Sequence, residues 1–332
     1  MSQVVTLPND TVSQAPNLQD WLNVWANAGA NRADLAGIIA AIADAAGPLA
    51  DRLALGAIDG DPTAIVGTND SGDSQKALDV VAHDHFIAAL KPTSVHEILS
   101  EEAEAIVAVN HDGKFNIAMD PIDGSGSIGI GAQLGMFFCI FPAEGGFLRS
   151  GRDIVAAGYI SFGHSMDFAL SLGEGLMMAT YDQRVGAFRV TDVNMRMPEK
   201  ASVLAYNASN TGNWSAGLQR YIADCLAGKS GPRGRSFNMR WLAAAVGDLH
   251  RILRQGGVFL YPSDSREGFA KGRLRLTYEA FPMAYLIEQA GGTATDGTMP
   301  ILDRVPESLH EHTPLIFGSA AEMAAIHEYL SH

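Results

Sequence analysis

Apolar residues recur at helical spacing in two segments of the N-terminal third. Leu35, Ile38 and Ile39 lie at i, i+3 and i+4 within residues 34–46, and residues 75–90 show the same period, so both segments are predicted to be amphipathic helices. Shorter apolar runs, typical of strands, then cover residues 94–99, 115–119, 133–141, 155–162, 169–171 and 187–191. Because these strands follow one another behind two helices, the first half is predicted to be α+β.

Strands and helices alternate after about residue 196. The pattern predicts strands over 202–206, 258–261 and 315–318, helices over 214–227, 239–254 and 282–290, and a last helix at the C-terminus. This half is therefore predicted to be α/β. The change of pattern divides the chain into an N-terminal α+β domain, residues 1–196, and a C-terminal α/β domain, residues 197–332.

Composition and charge narrow the class of protein. The formal net charge is −14, which argues against a nucleic-acid or anionic-membrane binder, because such proteins need a basic face. The N-terminus lacks the basic and apolar regions of a signal peptide, and the apolar runs are shorter than a membrane span. The two cysteines, Cys139 and Cys225, are predicted to be buried free thiols, which suits a reducing compartment. A cytoplasmic protein is expected.

Carboxylates follow two neighbouring strand segments. Glu101 and Glu102 come directly after the run 94–99, and Asp120 and Asp123 come after the run 115–119. Aspartate and glycine are common in turns and Glu-Glu pairs are common on surfaces, but two such groups at two strand ends favour one shared site. Close carboxylates repel unless they bind protons or cations, and all-oxygen ligation suits Mg²⁺ or Mn²⁺. A metal site is predicted.

The turn that follows Asp123 suits a phosphate. Gly124, Ser125 and Gly126 offer backbone N–H groups and a hydroxyl. The segment 124–129 also fits the GxGxxG spacing, but a strand-like run follows it rather than a helix, which argues against a nucleotide cofactor. A metal-dependent enzyme acting on phosphate is the hypothesis that covers both motifs.

Other polar groups extend the candidate site. Asp79 shares a helix face with apolar residues, and Asp73 precedes it in a Gly- and Asp-rich segment predicted to be a mobile loop. Arg273 and Arg275 alternate along a strand just before Glu279, so both guanidinium groups reach one side, where they suit an anion.

Two His-acid-His tracts look like metal ligands at first sight. In His83-Asp84-His85 and His310-Glu311-His312 the histidines are two positions apart, so on a helix they point to different faces and cannot chelate together. Solvated polar positions are predicted for both.

Taken together, several segments resemble class I fructose-1,6-bisphosphatase over about residues 20 to 330. The Asp-Pro-Ile-Asp-Gly turn alone would indicate only the wider superfamily that includes inositol monophosphatases, whereas the strand 257–262 and the segment 274–284 are similar to the bisphosphatase specifically. The segments that carry the resemblance are Ser100–Glu102, Asp120–Ser125, Asp153–Tyr159, Asp248–Arg251, Gly257–Pro262 and Leu274–Ala284.

The resemblance implies a layered αβαβα sandwich, the sugar phosphatase fold, and a homodimer or homotetramer. It implies hydrolysis of the 1-phosphate of fructose 1,6-bisphosphate, as in gluconeogenesis or the Calvin cycle. Two or three Mg²⁺ ions, with Mn²⁺ as a substitute, would be held by Glu101, Asp120, the Ile122 carbonyl, Asp123 and Glu279.

It also implies roles for the remaining candidates. Glu102 and Asp79 would orient and deprotonate the attacking water, and Asp73 would join them when its loop closes. The substrate would be bound by Gly124, Ser125, Asn207, Asn210, Arg240, Trp241, Tyr261, Arg273 and Arg275.

The chain departs from the family pattern at the substrate's two ends. The turn reads Gly126-Ser127-Ile128-Gly129 where a further Asn and Asp are usual, Arg273 replaces a lysine, and Asn210 and Trp241 stand where tyrosines bind the 6-phosphate. Sedoheptulose 1,7-bisphosphatase activity, alone or in addition, therefore stays open. So do an inositol-phosphate-type monophosphatase and a catalytically silent phosphosugar sensor.

Regulation by AMP is predicted to be absent. In animal members of the family AMP contacts threonine hydroxyls on an N-terminal helix, a Lys-Tyr pair and an arginine. The matching positions here are Arg32–Ala36, Lys114-Phe115 and Pro142, so only the lysine is kept.

Overall fold

The computed structural model describes residues 15–29, 32–68 and 74–331. The helices are α1 (Leu18–Ala26), α2 (Arg32–Leu55), α3 (Ala77–Leu90), α4 (Ala216–Leu226), α5 (Ala245–Gln255), α6 (Phe281–Gln289) and α7 (Ala320–Leu330). The strands up to the middle of the chain are β1 (Ile65–Thr68), β2 (Ser74–Lys76), β3 (Val95–Ser100), β4 (Val107–Ala108), β5 (Phe115–Asp123), β6 (Leu134–Pro142), β7 (Ala156–Phe162), β8 (Met166–Ser171), β9 (Leu176–Asp182) and β10 (Ala187–Met195). The later strands are β11 (Val203–Tyr206), β12 (Asn238–Met239), β13 (Val258–Tyr261), β14 (Leu274–Arg275), β15 (Thr293–Thr295), β16 (His312–Thr313) and β17 (Leu315–Gly318).

A large sheet in the order β10-β9-β8-β7-β6-β5-β3-β4 separates two apolar layers. Its strands are antiparallel except for the parallel pair β3–β5. Side chains alternate across the sheet: on β6, Met136 and Phe138 pack towards α1–α3, whereas Phe137 and Cys139 pack towards α5 and α6. Both faces are therefore buried, which explains the continuous apolar run that the sequence shows there.

A smaller sheet in the order β12-β11-β13-β17-β15 forms the second β layer. One face of β13 contributes Phe259 to the same core as α5 and α6, and the other contributes Val258 and Leu260 to a core with α4 and α7. The layers therefore run helix, sheet, helix, sheet, helix. The predicted αβαβα sandwich is confirmed.

The predicted helix 239–254 is wrong at its start. Residues Asn238–Met239 form strand β12 beside β11, and α5 begins only at Ala245. The buried Asp248 carboxylate accepts a hydrogen bond from the Leu242 N–H at 3.1 Å, and Ala243 has a φ of 63°, which no helix residue can have. The Asp248 side chain thus binds the Leu242 N–H, and the chain before Ala245 is held in a non-helical conformation.

Helix α2 is longer than predicted, 24 residues rather than the span 34–46. By length and composition it could cross a membrane, contrary to the expectation that the apolar runs are too short. Here 56% of its apolar window is buried inside the protein, against α1, α3 and the large sheet. Its apolar character is accounted for by that core.

Part of the predicted loop 67–74 is a hairpin. Strands β1 and β2 pair antiparallel, with Gly67 opposite Gln75. The predicted mobile N-terminus, residues 1–16, falls almost entirely outside the described residues, as does residue 73.

Candidate active site

The parallel pairing of β3 with β5 brings the two carboxylate motifs together. Ser100, the last residue of β3, lies opposite Met119 of β5, and the Glu101 N–H donates to the Met119 carbonyl at 3.2 Å. Glu101 and Asp120 therefore lie next to each other where the β3–β5 pairing ends. This is the arrangement that the sequence predicted.

Asp120 and Asp123 lie at an interruption of the β5–β6 pairing, whose register shifts between these two residues. Each is fixed by a backbone donor: the Ile122 N–H donates to Asp120 Oδ1 at 3.0 Å, and the Val246 N–H at the start of α5 donates to Asp123 Oδ2 at 2.7 Å. A carboxylate at a helix N-terminus is also favoured by the helix dipole.

Glu279 reaches the same point from a π-helical turn, residues 276–280, that precedes α6. Its Oε2 accepts from the Arg275 N–H at 2.6 Å, and Arg275 Nη1 lies 3.4 Å from Glu101 Oε1. Oxygen atoms of Asp120, Asp123 and Glu279 all lie within 4.8 Å of one another, and the three residues are buried. A cation would fit among these oxygens.

The electrostatics of the metal-free cluster are unfavourable for charge. Burial, followed by the charge of Glu279, raises the pKa of Glu101 to about 8. Burial raises the pKa of Asp123 to about 7, against the opposing hydrogen bond from Val246. The pKa of Asp120 lies well above its usual value because of burial and the neighbouring carboxylates. Crowded carboxylates of this kind need protons or a metal.

The predicted phosphate turn lies beside the cluster. Gly124 has a φ of 82° and precedes a 3₁₀ turn, Ser125–Ser127. A Cβ at Gly124 would lie 2.8 Å from the Ala244 Cβ, so both the backbone and the space require glycine. Lys76 Nζ donates to the Ser125 carbonyl at 2.6 Å and adds a cation to this turn.

The two candidates for water activation, Asp79 and Glu102, face the cavity from α3 and from the end of β3. Asp79 Oδ2 accepts from the Lys76 N–H at 3.0 Å, whereas Asp79 Oδ1 is buried with no hydrogen-bond partner among the described residues. Burial, opposed by that backbone hydrogen bond, raises the pKa of Asp79. Glu102 accepts from the side chain of Gln75 at 2.6 Å.

These groups line one cavity of about 560 Å³. The same cavity is also lined by Trp241, Tyr261 and the two arginines Arg273 and Arg275. Trp241 stacks on Phe259 with ring centroids 5.5 Å apart. Of the predicted site residues that the structure describes, those lining the cavity are Asp79, Glu101, Glu102, Asp120, Ile122, Asp123, Gly124, Ser125, Trp241, Tyr261, Arg273, Arg275 and Glu279.

Three predicted substrate residues are not brought to this cavity. Asn207 and Asn210 lie at a 3₁₀ turn, where the Asn207 side chain accepts from the Ser209 N–H at 3.1 Å. Arg240 is not at a helix start but follows β12, and its exposed guanidinium donates to the Met239 carbonyl at 2.8 Å. Asp73 lies outside the described residues.

The lining residues that the sequence reasoning missed include Gln75, Lys76 and Ala243. Gln75 and Lys76 were assigned to the start of a helix, where polar residues carry no signal. Ala243 has a positive φ, which alanine rarely adopts, so its sequence gives no indication of this conformation.

The His-acid-His tracts are not solvated positions, contrary to the expectation. His83 Nδ1 lies 2.8 Å from Ser100 Oγ, His85 Nε2 lies 2.8 Å from the Ala45 carbonyl, and His310 Nδ1 lies 3.0 Å from the Tyr278 hydroxyl. These histidines are half-buried and act in structural hydrogen bonds. Cys139 and Cys225 are buried free thiols, as predicted.

Comparison with known proteins bears directly on this site. The family model described as fructose-1-6-bisphosphatase, N-terminal domain, matches residues 50–193, and the one described as its C-terminal domain matches residues 197–331. A curated class 1 fructose-1,6-bisphosphatase of Brucella suis is 48% identical over 330 residues, 99% of this chain and 97% of its own length. The chain belongs to the class I fructose-1,6-bisphosphatase family. It is therefore an enzyme, a phosphatase.

Solved structures give the same result. The chain is similar to Leishmania major fructose-1,6-bisphosphatase in its holo form, with a TM-score of 0.89 at 28% identity, covering 96% of this chain and all (100%) of the other. The apo form of the same Leishmania protein gives a TM-score of 0.84 at 26% identity, with the same coverage. The layered sugar phosphatase fold is thus shared along nearly the whole chain.

Proposed function

We propose that this protein hydrolyses the 1-phosphate of fructose 1,6-bisphosphate, giving fructose 6-phosphate and phosphate, with Mg²⁺ as cofactor. The observation that carries the proposal is the meeting of buried carboxylates with the phosphate turn in one cavity that arginine and aromatic side chains also line. Carboxylates suited to a cation, together with arginines suited to anions, match a sugar that carries two phosphates. The relatives' names point to the same substrate.

The carboxylates fit a hard divalent cation. Asp120, Asp123 and Glu279 would hold it, and Glu101 and the carbonyl of Ile122 would complete its ligands, because every donor is an oxygen. When bound, the metal would neutralise charge on the phosphoryl oxygens and on the leaving alkoxide. Burial and mutual repulsion raise the pKa values of Glu101 and Asp123 to about 8 and about 7, and a bound cation would offset that repulsion.

The other residues position the substrate and the water. Gly124 and Ser125 would receive the 1-phosphate, and Glu102 with Asp79 would orient the water and take its proton. Asp79 Oδ1, buried without a partner among the described residues, is a suitable acceptor. Arg273 and Tyr261, which line the same cavity, would hold the sugar and the 6-phosphate. Positioning and charge neutralisation are what phosphoryl transfer needs most.

We also propose that the enzyme works as a homodimer or homotetramer. Arg240 is exposed and does not line its own chain's cavity, so a role at the 6-phosphate requires a neighbouring subunit. A silent phosphosugar sensor is disfavoured, because binding alone has no use for a buried acceptor such as Asp79 next to the carboxylates.

The test is phosphate release from three compounds, fructose 1,6-bisphosphate, sedoheptulose 1,7-bisphosphate and inositol 1-phosphate, with Mg²⁺ and with EDTA. We expect Mg²⁺-dependent release from the fructose compound. Release from inositol 1-phosphate alone, or none from any compound, would refute the proposal. Comparable release from the sedoheptulose compound would widen the substrate class.

A further inference from the structure

Gln75 contacts Glu102 through two hydrogen bonds from one amide group. Gln75 Nε2 donates to Glu102 Oε2 at 2.6 Å and to the Glu102 carbonyl oxygen at 3.1 Å. The same side chain therefore fixes both the carboxylate of Glu102 and the backbone from which it extends. Both residues line the cavity and are half-buried.

The other end of the Gln75 amide is also constrained. Gln75 lies opposite Gly67 in the β1–β2 hairpin. A Cβ added at Gly67 would lie 2.8 Å from Gln75 Oε1, so the amide packs where any other residue would place its side chain. The carboxamide is thus enclosed between the hairpin on one side and Glu102 on the other.

The next residue connects the same strand to the remaining polar groups of the site. The Lys76 N–H donates to Asp79 Oδ2 at 3.0 Å, and Lys76 Nζ donates to the Ser125 carbonyl at 2.6 Å. Two adjacent residues of β2 therefore contact both groups assigned to water activation, as well as the phosphate turn. The hairpin belongs to the site's framework.

We propose that Gln75 is a positioning residue that sets the orientation of the Glu102 carboxylate towards the attacking water. The inference rests on the proposed hydrolysis, in which Glu102 acts on that water. With Oε2 and the backbone carbonyl both bonded to one amide, rotation of the carboxylate about its side chain is restricted. Orientation of a reacting group changes the rate of the chemical step more than it changes substrate affinity.

The experiment compares four variants, three of which form a double-mutant cycle with the parent. Gln75→Met keeps the volume but removes both donors, and Gln75→Ala removes the side chain. Gly67→Ala pushes on the amide without touching Glu102, and the fourth variant combines Gly67→Ala with Gln75→Met. Val66→Ala on the same hairpin is the control, because Val66 is 57% exposed and is absent from the cavity lining.

We expect Gln75→Met and Gln75→Ala to lower kcat by about tenfold to 100-fold, with KM and Tm close to those of the parent. Gly67→Ala should lower kcat in the parent but have no further effect once Gln75 is replaced, because the two changes act through one contact. Val66→Ala should match the parent.

Unchanged kcat in Gln75→Met, a loss carried by KM, or additive effects of the Gly67 and Gln75 changes would each overturn the inference. Loss of folding in Gln75→Met would also overturn it, since the role would then be structural. A parent protein that does not hydrolyse fructose 1,6-bisphosphate would instead refute the proposed function, so the two failures are distinct.

Discussion

Replacing Asp120 by asparagine removes one negative charge from the carboxylate cluster and keeps the shape of the side chain. The hydrogen bond from the Ile122 N–H, 3.0 Å long, can be retained by the asparagine carbonyl oxygen. The substitution therefore separates the charge of Asp120 from its packing, and the effects on stability and on activity should have opposite signs.

The size of the repulsion between the carboxylates follows from the distances between their oxygen atoms. Oxygen atoms of Asp120, Asp123 and Glu279 lie within 4.8 Å of one another; two full charges at that distance repel by about 3.5 kcal/mol at an effective dielectric constant of about 20. Protonation already relieves part of this repulsion in the metal-free protein, because its carboxyl pKa values are raised. The metal-free variant should therefore be at least as stable as the parent.

Stabilisation by metal should be lost in the same variant. A ligand at about one hundred times its Kd stabilises the folded state by about 2.7 kcal/mol, or roughly 5 °C in Tm at about 2 °C per kcal/mol. The parent should show this rise on adding MgCl₂ and the variant should not. Turnover should fall by about 10³-fold or more, since metal chemistry supplies several kcal/mol of the barrier reduction.

The assay is thermal unfolding with EDTA and with MgCl₂, run beside phosphate release. Asp153→Asn is the matched control, because Asp153 is an exposed surface carboxylate paired with Arg149 at 2.9 Å. Near-normal turnover with unchanged Mg²⁺ dependence in Asp120→Asn would refute the metal assignment. A metal-free variant that unfolds well below the parent would refute the electrostatic reasoning.

Three further outcomes are expected. Micromolar AMP should leave the rate unchanged, since Lys114 is paired with Asp34 at 2.6 Å; half-inhibition at such levels would contradict this. Arg240→Ala should raise KM for the bisphosphate much more than it lowers kcat, with a dimer or tetramer seen by light scattering; a fully active monomer insensitive to the change would exclude a shared site. In the metal-free protein Tm should fall as pH rises from about 4 to about 8. The pKa values of Glu101 and Asp123 in the folded state, about 8 and about 7, are above the usual unfolded value of about 4. Over this range the folded state therefore holds protons that the unfolded chain has lost, and its stability decreases as they dissociate. Saturating Mg²⁺ should remove that slope and release protons on binding, measured by calorimetry in buffers of different ionisation enthalpy; a Tm that rises over this range would be inconsistent with the raised values.

The metal carboxylates could be predicted because local signals agree with the sheet topology. Glu101 and Asp120 each follow an apolar run in the sequence, and β3 and β5 are neighbours in the sheet. The layered fold was inferred from the family resemblance. Strand and helix periods mark most of its elements, but they miss, among others, α1, β9, β12 and the β1–β2 hairpin.

The segment 239–244, which carries Trp241, could not be predicted from periodicity. Residues 239–254 have the apolar stripe of a helix, but Asp248, at 0% exposure, accepts a hydrogen bond from the N–H of residue 242, and the helix begins only at residue 245. A buried side chain acting on a distant N–H leaves no pattern in the sequence. The β1–β2 hairpin is similar, because it contacts Glu102 through Gln75, and these two residues are 27 positions apart in the sequence.

Phosphorus NMR of the products shows which phosphate the enzyme removes and whether removal needs the metal. Fructose 1,6-bisphosphate, incubated with the enzyme and Mg²⁺, should give equal amounts of inorganic phosphate and fructose 6-phosphate, and neither should form with EDTA. Accumulation of fructose 1-phosphate, or product formation at the same rate without divalent metal, would contradict the proposed function.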